Sequence, residues 1–176
     1  GLIPEELDHL IKNLLSQGKK IKYLYTIPEF QNPTGSTMPL SRREKVLEIT
    51  NKYGLPVLED DCYVDLRFEG ETQAHKLRAS SLLREKRDAM ISSLGENFGG
   101  LDIKWTTPEG GCYLWITFPE NIDMDSLQQH CFDNGVGYLS GLKFSPKGDS
   151  GHNSARLCFA YESPEKNREG INKFAE

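Results

Sequence analysis

No stretch of this 176-residue sequence approaches the ~20 consecutive apolar residues that span a bilayer. No charged segment followed by an apolar core marks a signal peptide. Basic charge is in the minority, 21 Lys and Arg against 26 Asp and Glu, which leaves a net charge of −5. That balance lacks the basic stripe of a nucleic-acid binder and the polybasic cluster of a membrane-surface protein. Cysteine is scarce and unpatterned. Cys62, Cys112, Cys131 and Cys158 form no C-x-x-C pair and match no zinc ribbon or finger. Three of them lie in apolar runs, where a cysteine is usually a small buried hydrophobe. They are expected to be reduced, in a cytoplasmic protein. No glycine-rich phosphate loop of the G-x-G-x-x-G or G-x-x-x-x-G-K kind is present. His9, His75, His130 and His152 are scattered among polar neighbours and predict surface positions, with no metal site.

The pattern that is present alternates strand and helix. Residues 4–17 carry Leu7, Leu10, Ile11, Leu14 and Leu15 at the spacing of an amphipathic helix, with Gly18 as its stop. Residues 21–27 alternate as a strand, and 28–39 form a loop rich in Pro, Asn, Thr and Gly. Ser41 and Glu44 read as a capping box opening a second helix that Gly54 ends. Leu55–Leu58 is a short apolar strand, followed by Glu59, Asp60 and Asp61. Together these make a βαβ unit, hence a parallel pair of strands. In open α/β sheets ligands bind at the carboxyl edge of the strands. Asn32 and the group Asp60–Tyr63 therefore face a common site.

The second half lacks strict βα alternation and predicts an α+β module. A long helix is expected over 74–97, with strands at 103–106, 112–118, 136–139 and 155–160. A helix over 123–134 is expected with Asp123 as N-cap and Gly135 as its stop, and Ser163 is expected to cap a last helix. The boundary falls at 69–73, dividing a cofactor-side α/β piece (1–72) from a small C-terminal α+β domain (73–176). Lys19–Lys20 and Arg42–Arg43 read as basic pairs on solvated faces, and Arg84–Arg87 as a mixed-charge helix face.

Each residue that suggests chemistry has a plainer alternative. Asn32, in N-P-T-G, also suits a turn. Asp60 and Asp61 also suit a strand end or a metal. Tyr63 also suits half-buried packing. Arg156, alternating with Leu157, also suits a solvent-facing strand position, and Gly110–Gly111 a hairpin turn.

Taken in order, IPEFQNPTG (27–35), EDDCYVDLRFEG (59–70), TPEGGCYLWITFP (107–119) and SARLCFAYESPE (154–165) resemble the class I/II aminotransferases. These are pyridoxal-phosphate enzymes of fold type I. Within that family EDDCYVDLRFEG (59–70) resembles the 2-aminoadipate/kynurenine aminotransferase branch, which also includes the transaminase domains of MocR-type regulators. The resemblance implies an α/β fold with part of the large parallel-sheet domain and the small C-terminal domain. It implies pyridoxal 5'-phosphate as cofactor, with Asp60 beside the pyridine nitrogen. Asn32 and Tyr63 would lie on the phenolic oxygen and Arg156 on the substrate carboxylate. It further implies an α-amino acid donor (2-aminoadipate-like, aromatic or branched), a 2-oxo acid acceptor such as 2-oxoglutarate, and a homodimer.

The family's Schiff-base lysine has no counterpart. It normally lies in a Ser-Phe-Ser-Lys-like phrase, on a stretch of the order of a hundred residues between the D-x-x-Y motif and the small domain. Here Glu69 to Gln73 runs directly into AHKLRASSLLREKRDAM, and Lys76 lacks that context. The expectation is an incomplete version of the enzyme holding one wall of the cofactor site and the carboxylate clamp. The alternatives are the cofactor-sensing part of a regulator, or a catalytically inactive remnant.

Overall fold

The structure is a computed structural model and describes residues 2–69 and 77–176. Two helices lead. Pro4 opens α1 (Pro4–Ser16), where its missing N–H costs nothing. Leu7 and Ile11 turn inward against α2 (Leu40–Lys52). Leu10 and Leu15, expected on the same stripe, are exposed. The capping box does not form. Helix α2 starts one residue before Ser41, with Pro39 in extended conformation at the N-cap and no side-chain cap. The fixed φ of Pro39 sets the entry angle instead.

Strands β1 (Leu24–Thr26) and β2 (Val57–Glu59) pair in parallel, Leu24 opposite Val57 and Thr26 opposite Glu59. The expected βαβ unit is therefore present, with a first strand shorter than the alternation suggested. Residues 21–23 fall outside the ladder. A small apolar cluster of Leu7, Ile11, Val46 and Leu55 lies between this pair and the two helices.

The rest of the chain builds a second sheet. Helix α3 (Leu77–Phe98) runs to the end expected for it; its expected start at Ala74 lies outside the described residues, as do residues 70–73 of the expected boundary. Strands β3 (Lys104–Trp105), β4 (Tyr113–Thr117), β5 (Leu139–Ser140) and β6 (Ser154–Cys158) form an antiparallel sheet in the order β3-β4-β6-β5. The helix expected at 123–134 shortens to α4 (Gln128–Asp133). Asp123 still accepts from the N–H groups of Asp125 and Ser126, but it caps a turn ahead of the helix. Ser163 caps α5 (Pro164–Phe174) as expected, its hydroxyl accepting from the Lys166 N–H.

Helices α3 and α5 cover one face of this sheet. Leu94, Leu114, Ile116, Ala155 and Phe159 are fully buried between them. Arg87, expected on a mixed-charge helix face, is buried on α3. It pairs with Glu69 and Asp88 at 2.7 Å each, donates to the Pro108 carbonyl at 2.7 Å, and lies over the Phe68 ring. It ties the segment after β2 and the turn before β4 to the same helix. No described helix is long and apolar enough to cross a membrane.

Candidate functional site

Asn32 stands in the loop between β1 and α2. The loop is tied to itself: the Met38 N–H donates to the Pro28 carbonyl at 2.8 Å and Gly35 N–H to the Gln31 carbonyl at 2.6 Å. The Gln31 side chain donates to the Asn32 carbonyl and accepts from the Thr34 hydroxyl, both at 2.6 Å. The Asn32–Pro33 peptide is cis. This web aims the Asn32 side chain at the second sheet, where Arg156 Nη1 donates to its Oδ1 at 2.9 Å. That contact fixes the amide: with Oδ1 taken, the Nδ2 group is left as a donor.

Arg156 lies on β6, opposite Trp115 and Leu139. Its guanidinium is 4.0 Å from the Tyr113 ring centre and 5.3 Å from that of Phe144. The aromatic faces favour the cation. Its Nε is buried without a hydrogen-bond partner, and no carboxylate pairs with it among the described residues. A partly buried guanidinium with an unused donor is costly unless an anion meets it.

Asp60 follows β2. Its N–H extends the ladder to the Thr26 carbonyl at 2.9 Å. Its Oδ2 accepts from the Tyr25 hydroxyl at 2.6 Å, and its Oδ1 from the Cys62 N–H at 3.2 Å. Those two partners, Tyr25 foremost, hold its carboxyl below the usual carboxylate range, so it is an anion at neutral pH. Tyr63, three residues on, meets Tyr113 edge to face with ring centres 6.1 Å apart. Desolvation, helped by nearby Tyr113 and Cys62, pushes the Tyr63 phenol up to about 12. It stays protonated and able to donate.

The structure thus joins the four expected residues through two others. Tyr113 bridges Tyr63 and Arg156. Tyr25 holds Asp60 and lines, with Gln31, Asn32, Thr34 and Arg42, a cleft of about 470 Å³. That volume suits a small-molecule site. Asp60, Tyr63 and Arg156 do not line this cleft. Lys76 lies outside the described residues.

Neither Tyr25 nor Tyr113 stands out in sequence, yet strand register signals both. Tyr25 faces Leu58, so Asp60 follows two residues further on the same side of the ladder. Tyr113 is the diagonal neighbour of Arg156, which sits opposite Trp115.

Other expectations divide. All four cysteines are free, as expected, but Cys62 and Cys158 are exposed and Cys112 and Cys131 only half-buried. The polar edge of the site, not apolar core, surrounds Cys62. His9 and His130 are exposed; His152 is partly covered and bonds the Glu120 carbonyl; His75 lies outside the described residues. No group of metal-ligating side chains occurs among the described residues.

Comparison with known proteins identifies the family. The family model described as aminotransferase class I and II matches residues 2–100. An aromatic-amino-acid aminotransferase of Thermococcus litoralis is 29% identical over 246 positions, covering 100% of this chain and 58% of the relative. With 176 residues here, at least 70 of those positions face a gap in this chain. An L-tyrosine:2-oxoglutarate aminotransferase of Serpula lacrymans is 44% identical over 161 positions, covering 81% of this chain and 30% of the relative. The solved kynurenine aminotransferase of Pyrococcus horikoshii, described as a complex with PMP, superposes with a TM-score of 0.88 at 28% identity. That match covers 99% of this chain and 60% of the solved one, so the chain spans no more than about three-fifths of these proteins. The family model covers more than half of the chain, and the chain therefore belongs to the class I and II aminotransferases, pyridoxal-phosphate enzymes of fold type I.

Proposed function

We propose that this protein takes part in moving an amino group from an α-amino acid to a 2-oxo acid, with Asn32, Asp60 and Tyr63 on the cofactor and Arg156 on the substrate carboxylate. The proposed division of labour follows the chain: residues 1–72 contribute to the cofactor domain and 73–176 form the small domain. The family's cofactor-linked lysine is supplied by polypeptide other than these 176 residues. A homodimer completes the arrangement.

The residues fit pyridoxal phosphate. Bound there, the cofactor supplies an electron sink for the charge left when the substrate α-proton departs. Asp60 is anionic at the open end of β2, which suits holding a proton on a pyridine nitrogen. Tyr63 keeps its proton and Asn32 presents its Nδ2 group, so both can donate to a phenolate oxygen. The Arg156 guanidinium bonds Asn32 through Nη1 and is unpaired with any described carboxylate, and its fork geometry suits two bonds to a substrate carboxylate. Because Asn32 and Arg156 are themselves hydrogen-bonded, cofactor and substrate would be held in one register. The observation that carries the proposal is the partly buried, uncompensated Arg156 locked to Asn32 at 2.9 Å.

The substrate class follows from the relatives. Donors are aromatic, 2-aminoadipate-like or branched amino acids, and the acceptor is 2-oxoglutarate, in a ping-pong sequence. Protein purified from its natural source should form glutamate from L-tyrosine and 2-oxoglutarate, dependent on pyridoxal phosphate. Arg156→Lys should raise KM for both substrates by about tenfold or more, the loss of one bidentate contact. No glutamate from L-tyrosine, L-2-aminoadipate or L-leucine would contradict the proposal.

A further inference from the structure

The strongest interaction that the proposed chemistry does not use lies just upstream of Asn32. Glu29 precedes it by three residues, at the start of the same loop. Its side chain is only 14% exposed, and each carboxylate oxygen is taken by a different arginine. Oε1 accepts from Arg43 Nη2 at 2.6 Å and Oε2 from Arg67 Nη2 at 2.6 Å. Arg43 comes from α2 and also donates from Nε to the Met38 carbonyl at 2.9 Å, closing the far end of the loop. Arg67 comes from the segment just after Tyr63 and pairs with Gly110 in an isolated bridge.

Between Glu29 and Asn32 sits Phe30. It is the one non-glycine residue with positive φ among the described residues (48°), and it is 1% exposed. Its ring lies under Gly110 and Gly111 and beneath the Arg67 guanidinium, 4.9 Å away. A Cβ on Gly111 would come within 2.7 Å of the Phe30 Cβ. A left-handed, fully buried aromatic costs free energy and persists only where its surroundings over-determine it. Here the surroundings are the Gly110–Gly111 turn above and the Glu29 ion pairs on its flank.

A generic structural ion pair would join two elements. This one joins three that each bear on the site: the Asn32 loop, helix α2, and the segment running from Tyr63 to the β4 turn. Arg156, on β6 next to β4, is the group that the Asn32 amide must meet. The distance from Glu29 to Asn32 along the chain leaves two residues, Phe30 and Gln31, both fixed by tight contacts. Displacing Glu29 therefore displaces the amide.

We propose that Glu29 is a positioning residue: gripped by Arg43 and Arg67, it holds the Asn32 amide against Arg156 and so sets the carboxylate-binding geometry of the site. The second half of this statement rests on the assignment of Arg156 to the substrate carboxylate. The first half does not.

The test uses the 176-residue chain and two readouts. One is the side-chain ¹⁵N–¹H resonance of Arg156 Nε without any ligand. The other is the affinity for 2-oxoglutarate by calorimetry. Glu29→Gln keeps the shape but removes the charge that both arginines need. It should shift and broaden the Arg156 resonance and weaken 2-oxoglutarate binding about tenfold, with the far-UV circular dichroism of the parent chain retained. In an Asn32→Ala chain the same substitution should change affinity less than about twofold, because the amide it positions is gone. Arg67→Gln should repeat the pattern, which guards against a folding defect peculiar to Glu29→Gln. An Arg156 resonance unchanged in both variants would overturn the proposal, and so would an equal loss of affinity in the two backgrounds. If Arg156→Lys leaves 2-oxoglutarate affinity untouched, the carboxylate assignment fails; the positioning role is then decided by the Arg156 resonance alone.

Discussion

The two sheets of this chain are stabilised very differently. Around β3–β6, a dozen buried side chains from α3, β4, β6, α5 and the segments joining them close on one another, and α3 and α5 roof the sheet. Around β1–β2, four buried side chains do the same work. There Tyr25 and Leu58, opposite each other in the register, are each 51% exposed. Parallel strands are normally covered on both faces. Yet three of the four proposed site residues, Asn32, Asp60 and Tyr63, hang from this lighter part, and only Arg156 belongs to the heavier one. Geometry at the site thus depends on whatever ties the first region to the second. The ties near the site include Asn32 to Arg156, Phe30 beneath Gly110–Gly111, Tyr63 against Tyr113, and Arg67, which holds Glu29 and bridges to Gly110.

The comparison can be broken by unequal mutations. Leu114→Ala removes a fully buried side chain from the larger cluster and should destabilise it by about 2–5 kcal/mol. Its effect should reach every slowly exchanging amide of β4, β6, α3 and α5. Ile11→Ala, in the small cluster, should accelerate exchange in α1 and α2 while leaving β4 and β6 protected. Native-state hydrogen exchange checks both, and uniform loss of protection from Ile11→Ala would mean the two regions unfold as one.

A smaller effect should come from the hinge between them. Gly111 has φ of 76°, and alanine there costs about 1–2 kcal/mol for the left-handed backbone, besides the collision with Phe30. Denaturant titration measures the loss. An unchanged midpoint would mean the Phe30 contact is not maintained in solution.

The smallest is an acid effect confined to the helix pair. Asp8 accepts from Lys12, Tyr53 and Lys52, which hold its carboxyl well below the usual range, the Lys12 contact most of all. A depressed carboxyl stabilises the fold at pH values above its unfolded pKa of ~3.9 and loses that contribution as pH falls toward the lower folded value. Acid titration should therefore loosen α1 from α2 below about pH 4. Asp8→Asn should show weaker α1 protection at pH 7 and less further loss on acidification.

The sequence made legible what repeats locally. The N-P-T-G loop after a strand, the D-x-x-Y turn after the next, and Arg156 alternating within a strand all stand where expected. Ser163 and Gly54 mark the helix ends assigned to them. What could not be read were contacts between residues far apart in the chain. Arg43 patterns as solvated and Arg87 as part of a mixed-charge helix face, yet one is half-buried on Glu29 and the other buried against Glu69, Asp88 and Pro108. An ion pair 14 or 38 residues long leaves no periodic trace. Ser41 satisfied the capping rule and lost to Pro39, whose rigid φ starts the helix earlier. The shortened α4 and β5 show packing overriding a favourable local pattern.

The most direct test of the assembled site is a titration of the 176-residue chain with pyridoxamine phosphate, which needs no lysine to bind, followed by 2-oxoglutarate. Both should bind saturably. Asp60→Ala should weaken pyridoxamine phosphate about tenfold or more, a loss of ~1.4 kcal/mol, while Arg156→Lys weakens 2-oxoglutarate and leaves pyridoxamine phosphate within about twofold. Binding of pyridoxamine phosphate that is indifferent to Asp60, or of 2-oxoglutarate that is indifferent to Arg156, would contradict it.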